Sequence, residues 1–200
     1  MNLKYKIDSI TIQDYLEGEL HSEIKHEYID GQVYAMAGAS TNHNRIVANI
    51  LSALHAKLRK TPCEPFASDM KVQVAEDFYY PDVLVVCNHQ GNDYGVTDAP
   101  ILIVEVLSKA TRKIDQTLKR QAYQSLASLQ EYVVIEQDFV DVEICRRKNH
   151  WQSEHYFIGD ELHLETIDCR IPVEMIYERV ENEDALNYLQ QQASSTQNEN

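Results

Sequence analysis

The sequence predicts a mixed α/β fold, in which a central mixed sheet is flanked by helices and extended by antiparallel hairpins. Three observations carry this expectation. Residues 79–87 and 101–107 are apolar on both faces, the pattern of strands buried in the middle of a sheet. Ile46, Val47, Ile50, Leu51, Leu54 and Leu58 recur at three- and four-residue intervals, the signature of an amphipathic helix packed on that sheet. Asp30-Gly31 and Gln137-Asp138 each separate two β-prone runs, as hairpin turns do.

Taken in order, Thr11 and Asp14 form a capping pair for a short helix over residues 11–18, which Gly18 ends. Residues 26–37 form a hairpin with a type I′ turn at Asp30-Gly31, and Glu27 lies at its start. Ser40 or Thr41 caps a helix over residues 43–60, with His43 in the first turn. Pro62 and Pro65 then break the chain, and alternation from Asp69 to Val74 predicts a half-exposed strand. Pro81 is tolerable only at the beginning of a strand, so Asp82 should lie near the entrance of the 79–87 strand.

Residues 88–100 read as an exposed loop. A helix capped by Ser108 or Thr111 should run to about Leu126, carrying Asp115, Lys119 and Tyr123 on one stripe. Strands at 131–136 and 139–146 make a second hairpin, followed by strands at 151–158 and 162–166 and a short helix within 172–180. The polar segment after Leu189 reads as disordered, giving one domain over residues 1–188 and a tail over 189–200.

Composition bounds the function. The 200 residues include no apolar run approaching the roughly 20 needed to cross a bilayer, and the N-terminus lacks the apolar stretch of a signal peptide. The expectation is a cytoplasmic protein with no membrane partner. The four cysteines are widely spaced without a CxxC pair and read as reduced core residues. A net charge of −14 weighs against tight non-specific DNA binding. The acidity is concentrated late, however, with 16 acids against 5 bases from residue 131 onward. Lys109, Arg112, Lys113, Lys119 and Arg120 cluster around Asp115, and with a screening length of about 8 Å such a patch can act locally on a phosphate.

Asp82 and Glu105 each interrupt an apolar strand, and a buried carboxylate is costly without a compensating cation or hydrogen bonds. A divalent metal such as Mg²⁺ takes hard oxygen ligands and would join the two acids, with the lysine ammonium of Lys119 nearby to neutralise charge. Each residue also has a plainer reading. Asp82 could be a turn acid, Glu105 could pair structurally with Lys119, and Glu27 could be a cross-strand partner. His43 could be a helix-terminal group, and Tyr123 could be packing.

The YYPDV around Asp82, the VEVLS around Glu105 and the Asp115, Lys119, Tyr123 series resemble the Uma-type family of the PD-(D/E)XK nuclease superfamily. The likeness extends to Glu27 before Ile29-Asp30-Gly31, to His43 and to Glu131-Tyr132, covering roughly residues 10–145. It implies a restriction-endonuclease-like core that binds Mg²⁺ or Mn²⁺ and cuts phosphodiester bonds, with DNA as the partner. On these positions the resemblance makes Asp82 and Glu105 the metal ligands, Lys119 the catalytic cation, and Glu27 and His43 accessory groups. Leu107 stands where the superfamily usually has its strand lysine, and Lys119 from the following helix is the expected substitute. Two other readings are a catalytically inactive nuclease-fold module that binds nucleic acid or protein, and a structural homodimer built through the acidic C-terminal hairpins.

Overall fold

The computed structural model describes residues 10–92, 94–108, 112 and 115–198. Helix α1 (Ile12–Glu19) is capped by Thr11, whose hydroxyl accepts the Asp14 N–H. Strands β1 (His26–Ile29) and β2 (Gln32–Ala35) form the expected hairpin, with Asp30 and Gly31 at φ 50° and 74°, the left-handed pair that a type I′ turn requires. Helix α2 (Thr41–Leu58) is capped by Ser40 and buries Ile46, Val47, Ile50, Leu54 and Leu58.

Strands β3 (Cys63–Ala67), β4 (Lys71–Val74), β5 (Asp77–Tyr79), β6 (Val83–Cys87), β7 (Val96–Thr97) and β8 (Pro100–Leu107) follow. A π-helical turn (Asp115–Lys119) leads into α3 (Arg120–Ser125). Strands β9 (Glu131–Glu136), β10 (Val142–Arg146), β11 (Ser153–Tyr156), β12 (Glu161–Leu164) and β13 (Cys169–Pro172) precede α4 (Val173–Ile176) and α5 (Glu183–Asn198).

Two main sheets organise these elements. The larger has the order β11-β10-β9-β8-β6-β3, with β8 and β9 parallel and the remaining pairs antiparallel. A parallel pair needs a crossover, and α3 lies within it. The smaller sheet has the order β2-β1-β5-β4-β7, and β12 pairs with β13 apart from both. Alternation along β6 and β8 sends Val83, Val85, Leu102 and Val104 into a core shared with α2, and Leu84, Ile103 and Leu107 into a second core with Tyr79, Tyr123 and Tyr132.

Several expectations need correction. The apolar run 79–87 is not one strand: β5 belongs to the small sheet and β6 to the large one, and the chain crosses between them at Tyr80–Asp82. Pro81, which has no N–H to give a ladder, stands at that crossing. The 71–74 strand accordingly lies in the small sheet and not in the central one. Pro65 does not break the chain but sits inside β3, where the edge position tolerates a residue without a donor.

Cys63 and Cys87 are not reduced core residues. They stand directly opposite each other across β3 and β6 and are joined as a disulfide, whereas Cys145 and Cys169 are free and buried. The tail predicted to be disordered continues as α5 through Asn198, a segment whose Gln and Ala residues favour a helix. The cap by Thr111, the side chain of Asp115, Lys109 and Lys113, and residues 1–9 and 199–200 lie outside the described residues. Among the described residues, no helix is long and apolar enough to cross a membrane.

Candidate active site

The site forms where the two sheets meet. Val83 is registered with Val104, so Asp82, one residue earlier, falls beside Glu105, and its backbone N–H donates to Glu105 Oε2 at 3.3 Å. Asp82 Oδ2 accepts the Val106 N–H at 2.7 Å and lies 3.1 Å from His43 Nε2, which the first turn of α2 delivers to the same point. Glu27 arrives from β1 in the small sheet, and its Oε1 accepts the Tyr80 N–H at 3.2 Å. Lys119, the last residue of the π-helical turn, places Nζ 2.8 Å from Glu27 Oε1 and 3.5 Å from Glu105 Oε1. All five residues singled out from sequence are therefore brought together.

The electrostatics explain why this cluster can be buried. Among these five side chains there are three carboxylates and one ammonium, so with His43 neutral the group carries two negative charges. Glu105, with its side chain only 3% exposed, is compensated by Lys119 and by the Tyr123 hydroxyl, which donates to Oε1 at 3.0 Å. Burial, together with the neighbouring charges of Glu105 and Glu27, holds the Tyr123 phenol well above its ordinary pKa, which keeps it a donor.

Tyr123 is thus more than packing. The signal was available, since it lies four residues after Lys119 and so projects from the same side of the helix. The π-helical turn itself had no sequence signal; such turns are rare and recur at functional sites. Leu107 is fully buried, in the same core as Tyr123 and Tyr132.

The expected basic patch is less available than the sequence implied. Arg112 pairs with Glu136 at 2.6 Å and reaches Asp138 at 3.5 Å, while Arg120 grips Glu143 with both terminal nitrogens at 2.8 and 2.5 Å. Both arginines are spent on the β9–β10 hairpin.

Asp82 Oδ1 and Glu27 Oε2 accept no hydrogen bond among the described residues. Asp82 Oδ1, beside Glu105, is a hard oxygen of the kind Mg²⁺ and Mn²⁺ take. No three His, Cys, Asp or Glu side chains among the described residues form a ready cage.

The fold is that of a restriction-endonuclease-like protein. The profile of the Uma2 family, described as "Putative restriction endonuclease", matches residues 12–174, and the chain belongs to that family. The uncharacterized protein slr1290 of Synechocystis sp. is 32% identical over 170 residues, covering 82% of this chain and 90% of its own. A second uncharacterized protein of the same organism, sll1609, is 34% identical over 157 residues, with coverage of 76% and 82%. Among solved structures, one described as "a putative nuclease belonging to DUF820" from Anabaena variabilis aligns with a TM-score of 0.72 at 16% identity, over 84% of this chain and 97% of that one. At that identity the likeness establishes the fold.

Proposed function

We propose that the protein is a divalent-metal-dependent phosphodiester hydrolase that cuts DNA internally. The observation that carries this reading is the convergence of Asp82, Glu105 and Lys119, with Lys119 also against Glu27, at the meeting of two sheets. The family description points the same way.

In this reading Asp82 and Glu105 hold Mg²⁺ or Mn²⁺. An ion held there would supply a water of lowered pKa and offset charge on the scissile phosphate. Lys119 donates to a phosphate oxygen or to the attacking water, and its single positive charge offsets the charge that develops as the phosphorus–oxygen bond to the leaving group breaks. Tyr123 fixes the Glu105 carboxylate by donating to Oε1, so that Oε2 is presented on the Asp82 side. Glu27 steers the Lys119 ammonium. Burial of the cluster strengthens each of these interactions relative to water.

Incubating purified protein with supercoiled plasmid and with single-stranded DNA in Mg²⁺ or Mn²⁺, beside an Asp82→Ala control, tests the proposal. Nicking that disappears in the control supports it; equal cleavage by the control identifies a contaminant and removes the reading.

A further inference from the structure

His43 presents a puzzle that the proposed chemistry leaves open. Its Nε2 lies 3.1 Å from Asp82 Oδ2, and its Nδ1 is buried with no hydrogen-bond partner. A carboxylate oxygen only accepts, so Nε2 must carry the hydrogen; in the neutral ring Nδ1 is then a bare lone pair. The Val106 N–H donates to the same Oδ2 at 2.7 Å. Two N–H groups from two different elements thus converge on one oxygen of Asp82, while its other oxygen, Oδ1, accepts nothing among the described residues.

The placement of the ring is itself secured. Ser40 accepts the His43 N–H at 3.1 Å and donates to Gln137 Oε1, and Gln137 Nε2 donates to the carbonyl of Leu107 at 2.8 Å. This chain ties the first turn of α2 to the C-terminal end of β8, two residues beyond Glu105. Gln137 is buried, although nothing in the proposed reaction touches it.

We infer that His43 is a positioning residue that, with the Val106 amide, occupies Asp82 Oδ2 and so forces Asp82 to bind a divalent cation through Oδ1 alone. The inference rests on the metal reading proposed above. Outer hydrogen bonds of this kind fix the orientation of a ligand, and their loss typically weakens metal affinity by about 10–100-fold. His43 does not transfer a proton in this role, and its Nδ1 needs no partner to fulfil it.

The test uses the full-length protein and Mn²⁺ alone as the probe. Titration calorimetry should show Mn²⁺ binding about tenfold weaker in His43→Ala, with most of the affinity restored in His43→Gln, whose amide can donate to Oδ2. Long-range ¹⁵N NMR of the metal-free protein should show hydrogen on Nε2. Mn²⁺ binding lost in Asp82→Ala but unchanged in His43→Ala overturns this inference and leaves the metal reading standing. Binding unchanged in both variants overturns the two together. An Nε2 without hydrogen in the native protein overturns the inference independently of whether either variant folds.

Discussion

The Lys119 ammonium lies 2.8 Å from the Glu27 carboxylate, joining the π-helical turn to a strand of the small sheet. Both side chains are mostly buried, so the pair is held in a low-dielectric setting with Glu105 as its third member. Replacing Lys119 by Met should lower DNA cleavage by about 10²–10³-fold, the range for losing one well-aimed donor to developing charge. Left without their cation, Glu27 and Glu105 should also reduce folding stability by about 3–5 kcal/mol in metal-free buffer. Mg²⁺ affinity should rise, because the carboxylates lose a competing positive charge. Calorimetry and denaturant unfolding of the variant check both; a fall in Mg²⁺ affinity would mean that Lys119 helps to build the metal site.

Tyr123→Phe removes the hydroxyl that donates to Glu105 Oε1 and leaves the ring packed. The expected cost is about 1.5–3 kcal/mol of stability, the range for a hydrogen bond to a charged group. In the native protein this phenol should stay protonated as pH passes 10.0, because burial and the nearby Glu105 and Glu27 charges oppose its ionisation. Comparing ultraviolet titration curves of the native and Phe proteins detects it, and a missing step near the ordinary tyrosine value in the variant would refute the assignment.

Glu143 gives the fold a dependence on acid. Burial raises its carboxyl pKa, but hydrogen bonds from Arg120 and Ser153 more than offset this, and the net value lies below the ordinary 4.5. The folded state therefore binds this proton less readily than the unfolded chain. The stabilisation is fully present above 4.5 and is lost as pH falls through the depressed folded value. Urea unfolding should show Glu143→Gln less stable than the native protein by roughly 1–3 kcal/mol at neutral pH, with the gap shrinking on acidification. A gap that is constant with pH would contradict the linkage.

The Cys63–Cys87 pair predicts a thiol count. Alkylation of the unfolded protein without reductant should label Cys145 and Cys169, and Cys63 and Cys87 should react only after reduction, as read by peptide mass spectrometry. The bond closes a loop with a sequence separation of 24, so the double change Cys63→Ser and Cys87→Ser should cost about 3 kcal/mol under oxidising conditions.

Much of this was legible in the chain because the relevant signals were local. Asp30-Gly31 specifies its turn through backbone conformation, and the apolar rhythm from Ile46 to Leu58 specifies the buried face of α2. The carboxylates at Asp82 and Glu105 stood out because acids in apolar strands demand compensation. What was hidden depends on partners distant in sequence. The residues from Tyr79 to Cys87 look equally apolar whether they lie in one sheet or divide between two. The pairing of Cys63 with Cys87 depends on the β3–β6 register, which spacing alone does not reveal. Arg112 and Arg120 read as a free basic patch until the β9–β10 hairpin brings Glu136 and Glu143 against them. The hydroxyl of Tyr123 gains its acceptor only once α3 packs over β8.

The crossing at Tyr80–Asp82 makes the assembly of the site a mechanical matter. Glu27 rides on one sheet, Glu105 is woven into the other, and Asp82 sits on the hinge-like stretch that joins them. The candidate site is consequently an interlock: it is complete only while the two sheets stay docked, with Lys119 between Glu27 and Glu105. Prying the small sheet away by even a few ångströms would draw Glu27 away from Glu105, the two carboxylates that Lys119 now bridges, while every ladder of the large sheet remained intact. Loss of activity should therefore precede loss of secondary structure whenever this junction is the first part of the molecule to yield.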